Sequence, residues 1–161
     1  MFVRNYIGII VGFLVFLWPR PDVLAWGPEG HRIVGEIAQW HLAPEVQRKI
    51  ETDFNIKNLA DVSNWADHVK DARHQGKWHF TNIEKTARDY DRERDCADGE
   101  CVTEIIVKYE GVLKDASASA QERKEALMYL VHFVGDVHQP LHLGNKTQVW
   151  ELSQEHHSCC K

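Results

Sequence analysis

The chain has 161 residues, 43% of them hydrophobic and 27% charged, with a formal net charge of −5; these values suit one compact domain. The acidic balance excludes nucleic-acid binding through a Lys/Arg surface, because that affinity comes from neutralising phosphates. Any attraction for a polyanion has to come from bound cations.

The N-terminus reads as a secretory signal. Arg4 gives a positive start, Ile7 to Trp18 is an apolar core, and PRPDVLA ends with small side chains at Val23 and Ala25. The apolar core is too short to span a bilayer of about 30 Å at about 1.5 Å per residue. The pattern predicts cleavage between Ala25 and Trp26, with residues 1–25 as signal and 26–161 as one secreted domain with no stable membrane association. Losing Arg4, Arg20 and Asp22 leaves the remainder one charge more negative.

Downstream, Ile33, Val34, Ile37, Ala38 and Trp40 recur with helical period. A second helix is expected from Pro44 through Val46 and Ile50, with proline in its first turn. A shorter helical segment is expected over Leu59 to Lys70, mostly loop over Gln75 to Cys101, and a helix over Val102 to Leu113. The longest helix begins at the capping-box pattern Ser119-Ala-Gln-Glu122 and runs to about His138, stopping before Pro140. Nothing alternates with period two, so the class is all-α.

Four cysteines in a secreted chain suggest disulfides. Cys96 and Cys101 flank the loop ADGE and pair across a short turn. Cys159 and Cys160 are adjacent and remain free thiols, intermolecular links or metal ligands. Asn145-Lys-Thr147 is a glycosylation sequon.

The last helix carries most of the chemistry, in YLVHFVGDVHQPLHLG (Tyr129 to Gly144). His132 and Asp136 are one helical turn apart and share a face, as two ligands for one metal would. Gly135 between them lets another group approach closely. His142 lies beyond the Pro140 break, where the chain can turn back, and His138 sits off the line and can simply cap the helix. Alone, the pair fits equally well a hydrogen-bonded buried couple.

Other motifs add to it: WGPEGH (Trp26 to His31), WAD (Trp65 to Asp67) and WHFTNI (Trp78 to Ile83). As a set, W-G-x-x-G-H, W-A-D, H-F-x-N and H-F-x-x-D-x-H-Q-P-L-H, in this order over Trp26 to about Thr147, resemble the S1/P1 nuclease family. These are secreted, mainly helical zinc enzymes that share their metal site with bacterial zinc phospholipase C.

The resemblance implies three zinc ions. Asp67, His79, His132 and Asp136 would hold the first. The free amine and carbonyl of Trp26, with His31 and a bridging Asp136, would hold a second, so signal cleavage would create a ligand. His142 would be one ligand of the third. The implied activity is zinc-dependent hydrolysis of phosphodiester bonds in single-stranded DNA and RNA by a monomer, with 3'-nucleotidase activity as an addition. Asp67 would orient the attacking water, Lys70 would face the phosphate, and Phe80 with Asn82 would hold a base. The bland readings stand beside these: Lys70 a solvated charge, Phe80 a core residue.

After Thr147 the family pattern stops. The chain reads QVWELSQEHHSCCK, without the family's Gly-Gly-Asn turn or its further His and Asp for the third zinc, so a C-terminally incomplete domain is expected. His156 and Cys160 could replace those ligands, or the tail is passive. Two rivals follow: a zinc-binding fragment with little or no activity, and a phospholipase C-type phosphodiesterase.

Overall fold

Proline and glycine set where the first helices begin and end in the computed structural model, which describes residues 26–84 and 86–144. The predicted signal, the Asn145 sequon and the tail bearing His156, Cys159 and Cys160 lie outside the described residues. α1 (Pro28–His41) and α2 (Pro44–Phe54) each carry proline in the first turn. α2 ends at Asn55, which adopts the left-handed conformation at φ 54°.

The helix expected over Leu59 to Lys70 is instead two pieces, a 3-10 turn at Leu59–Asp61 and α3 (Trp65–Val69). Polar side chains compete with the backbone at the break. The Asn58 side chain accepts from Ala60 N, and the Ser63 hydroxyl donates to the Ala60 carbonyl at 2.9 Å. The region expected to be mostly loop contains a 3-10 turn at Gly76–His79 and the one-turn α4 (Arg92–Asp95), capped by the Asp91 carboxylate. α5 (Val102–Lys114) and α6 (Ala120–Val137) form a helical hairpin. The Ser119–Glu122 capping box closes the start of α6 from both sides. His138 is the C-cap of α6, and its ring bonds the Val134 carbonyl. A final 3-10 turn, Pro140–Leu143, follows. No strand occurs among the described residues, in keeping with the all-α reading, and no helix among them is long and apolar enough to cross a membrane.

α6 is the central element. One side packs Tyr129 and Phe133 with Ala66, Trp78, Val102 and Ile105. Met128 joins Phe54, Ile56 and Leu59 in a second core that receives Ala38 of α1 and Leu42, its C-cap. Of the five apolar residues that gave α1 its period, Ala38 packs inward. His31 and Gly35 are buried, while Ile33, Ile37 and Trp40 are exposed. Gly35 is the reason: a Cβ there would lie 2.9 Å from the backbone of Ala60, so only glycine allows this approach.

Candidate metal centre

Four elements converge on Asp136, which is fully buried on α6. α6 itself supplies His132, whose Nε2 is 3.2 Å from Asp136 Oδ2. α1 supplies His31, with Nε2 3.4 Å from Asp136 Oδ1. The 3-10 turn before Phe80 supplies His79, with Nδ1 3.0 Å from Asp136 Oδ2 and 3.0 Å from His132 Nε2. The last 3-10 turn brings His142 Nδ1 to 3.5 Å from Asp136 Oδ1. α3 contributes Asp67, whose Oδ1 lies 3.7 Å from His79 Nδ1 and 3.8 Å from His132 Nε2.

Backbone carbonyls orient these rings. His132 Nδ1 bonds the Ser63 carbonyl at 2.7 Å, which leaves Nε2 with its lone pair toward the cluster. His142 Nδ1 bonds the His79 carbonyl, and the His142 carbonyl accepts from Thr81 N at 2.8 Å. The chain therefore does turn back after Pro140. Gly135 makes room: a Cβ there would come within 2.9 Å of His31 Nδ1. The His31 ring is stacked on His132 at 3.9 Å.

Charge states follow from burial and proximity. Burial, aided by His132, lowers the His31 pKa to about 4 against the pull of Asp136 and Asp67. For His132 burial acts downward too, but the Asp136 hydrogen bond and charge outweigh it and raise the pKa. Burial works to raise both carboxyls. Hydrogen bonds from His132 and His79 outweigh it at Asp136, and Lys70 with the imidazoles outweighs it at Asp67, so both stay ionised.

The arrangement fits a cation. Ligand atoms about 2.0–2.2 Å from one tetrahedral zinc lie about 3.4 Å apart. The separations among Asp67, His79, His132 and Asp136 quoted above run from 3.0 to 3.8 Å. Two overlapping groups, His31–Asp67–His132 and His79–His132–Asp136, could each hold a metal ion. Asp136 Oδ1, His31 Nδ1 and His79 Nε2 are buried without a hydrogen-bond partner among the described residues, an unusual concentration of unsatisfied polar atoms.

The remaining candidates lie around this cluster. Trp26 precedes α1, with its indole ring against Gly30, where a Cβ would come within 2.5 Å of the ring. Lys70 Nζ donates to Asp67 Oδ1 at 2.9 Å and is thus not a free solvated charge. Phe80 is half-buried, and with Asn82 it lines a cleft of about 400 Å³ whose walls include Lys77, Arg94 and Glu100. The Cys96–Cys101 disulfide forms part of that wall. Val102 N, just after it, donates to the Phe80 carbonyl at 3.1 Å. His138 is exposed on the helix end and outside the cluster. Sequence reasoning missed the Ser63 carbonyl, since a backbone acceptor leaves no side-chain signal.

Comparison with known proteins gives the same grouping. The family model described as S1/P1 Nuclease matches residues 26–152. The chain belongs to the S1/P1 nuclease family. It is 36% identical to "Nuclease P1" of Penicillium citrinum over 127 residues, covering 73% of this chain and 47% of that protein. It is 33% identical to "Endonuclease 3" of Arabidopsis thaliana over 165 aligned positions, 91% of this chain and 56% of the relative. "Nuclease S1" of Aspergillus oryzae is 35% identical over 129 residues, 74% and 45%. The chain thus spans about half the length of the curated relatives it matches.

Proposed function

We propose that the chain is a secreted zinc-dependent endonuclease that hydrolyses phosphodiester bonds of single-stranded DNA and RNA. The observation that carries this reading is the ring of Asp67, His79, His132 and Asp136 donor atoms at zinc-ligand spacing beside the Phe80–Asn82 cleft. His31 and the carbonyl of Trp26, with its amine once freed by cleavage after Ala25, would hold a second ion together with Asp136. His142 would be one ligand of a third. Bound zinc would supply a Lewis acid that lowers the pKa of water and offsets phosphate charge. It would also give an acidic chain the local positive field that a polyanion requires.

The residues divide the remaining work. Asp67, partly open to solvent and held ionised, accepts a hydrogen bond from the attacking water and orients it. Lys70, aligned by its bond to Asp67, donates to a phosphate oxygen. Phe80 offers a flat face for an unpaired base, which selects single strands without selecting a sequence. Asn82 Oδ1, buried and without a partner among the described residues, accepts from a base edge.

A second reading, a zinc-binding chain without turnover, is favoured by one observation: His142 is the one third-site ligand among the described residues. Incubating the chain that starts at Trp26 with zinc and single-stranded or duplex DNA separates the two. Release of nucleotides from single strands supports the nuclease reading. Zinc binding without cleavage supports the second. Cleavage of phosphatidylcholine in preference to DNA would point to the phospholipase C-type activity instead.

A further inference from the structure

Two of the four residues proposed for the first zinc stand on elements too short to hold their own shape. Asp67 is on α3, five residues long, and His79 ends a 3-10 turn of four. Isolated helices of such length are marginal in water, so tertiary contact has to place both ligands. Tyr129 of α6 makes that contact for both. Its ring meets Trp65, two residues before Asp67, at 5.0 Å and Trp78, the residue before His79, at 5.7 Å, edge-on in each case. Tyr129 itself lies three residues before His132 and is therefore its neighbour on the helix surface.

The hydroxyl extends the link to the loop between those two elements. Fully buried, it accepts from Arg73 Nη1 at 3.0 Å and donates to Gln75 Oε1 at 2.7 Å. Arg73 also donates to Glu125, one turn earlier on α6, at 2.8 Å, and its guanidinium lies over the Trp65 ring at 4.9 Å. Gln75 is buried. Its N–H donates to the Lys70 carbonyl at 2.8 Å, and its carbonyl accepts from Trp78 N at 2.9 Å in the turn that presents His79. His74, between Arg73 and Gln75, has φ 57°, a left-handed conformation that a non-glycine residue keeps where its surroundings hold it. We propose that Arg73, Gln75 and the Tyr129 hydroxyl form a positioning device for the metal centre. They fix α3 and the turn before Phe80 against α6, and so bring Asp67 and His79 to ligand distance from His132 and Asp136 before any metal arrives. None of the three is a ligand; what they reduce is the reorganisation that metal binding would otherwise require. The inference rests on the zinc reading of the cluster.

Tyr129→Phe is the deciding variant, since it keeps the ring and removes only the hydroxyl, leaving the buried Gln75 oxygen without this donor. In the chain starting at Trp26, zinc affinity measured by competition with a chelator should fall about fivefold, the size of one net hydrogen bond. Arg73→Met should lose a similar factor, and the double variant no more than the larger single loss, because both changes break one junction. Cobalt in place of zinc adds a readout that lost stability alone would not move: at saturating cobalt, the visible absorption of the tetrahedral site should shift in Tyr129→Phe. Tyr90→Phe, which removes a hydroxyl bond of 2.7 Å to Glu104 elsewhere in the fold, should leave both readings as they are. Zinc affinity unchanged in Tyr129→Phe overturns the proposal, as does lowered affinity with an unaltered cobalt spectrum. Losses that add in the double variant, or an equal loss in Tyr90→Phe, overturn it too. A wild-type chain that takes up neither metal overturns the zinc reading itself, and this inference with it, which keeps the two failures distinct.

Discussion

Replacing Gly135 by alanine separates helix stability from the metal centre. In the middle of α6 the added methyl should favour the helix by about 1 kcal/mol. The same methyl, however, would sit 2.9 Å from His31 Nδ1 and 3.4 Å from His31 Cε1. Reaching ordinary contact requires a displacement of about half an ångström. The ring cannot yield freely, because its other side is stacked on His132 at 3.9 Å and the residue is fully buried. Overpacking of this kind costs about 1–3 kcal/mol, so the net effect on the metal-free protein is a loss of about 0–2 kcal/mol. The larger effect falls on His31 Nε2, which stands 3.4 Å from Asp136 Oδ1 and moves with the ring. Zinc titration against a chromogenic chelator should show one ion weakened at least tenfold, about 1.4 kcal/mol, with the His79–His132–Asp136 ion little changed. Unchanged zinc affinity together with a raised melting temperature would refute the reasoning, since helix propensity alone would then account for the variant.

Asp136→Asn should lower zinc content and abolish any nuclease activity, whereas His138→Ala should change neither, because His138 lies outside the cluster and bonds the Val134 carbonyl; metal analysis of both variants checks this. Gly35→Ala should destabilise the fold by about 1–3 kcal/mol because the new methyl meets the Ala60 backbone, which cannot rotate away. Gly111→Ala, with nothing within 4 Å, should stabilise α5 by about 1 kcal/mol; urea midpoints decide both. The His31 pKa, lowered from 6.5 to about 4 on folding, makes a contribution that is present above pH 6.5 and lost as pH falls toward 4. His132, raised on folding, acts in the opposite sense. The urea midpoint of the metal-free chain should therefore fall more steeply over that window than in His31→Gln, and equal slopes would contradict the His31 assignment. Cys101→Ser should raise KM for single-stranded DNA without altering zinc content, because it frees the backbone that holds the Phe80 carbonyl at Val102 N.

Much of the centre was legible from spacing and motif. His132 and Asp136 do share a face of α6, and Gly135 does admit a second group, because an uninterrupted α-helix fixes those relations locally. The return of His142 depended on Pro140 ending the ladder, which sequence also announces. What was not legible is tertiary. The helical period of α1 gave Ile33, Val34, Ile37, Ala38 and Trp40 as its apolar residues without saying which of them pack; glycine packing against Ala60 turned the Ala38 side inward and left Ile33, Ile37 and Trp40 exposed. The break between Leu59–Asp61 and α3 arises from side-chain competition at Asn58 and Ser63. It places a carbonyl on His132 that no residue pattern encodes. The cleft around Phe80 and Asn82 likewise required knowing that α4 and the Cys96–Cys101 loop fold over the 3-10 turn bearing His79.

The central claim is that the buried His–Asp cluster is a zinc centre, and metal content tests it most directly. The chain beginning at Trp26, purified without added chelator and dialysed, should retain about two zinc ions per molecule, as the two proposed ligand sets imply. In Asp136→Asn, which removes the carboxylate that both proposed zinc sites use, retention should fall below about one. A purified chain that folds but holds no zinc, or one whose zinc content is indifferent to Asp136→Asn, would contradict the account.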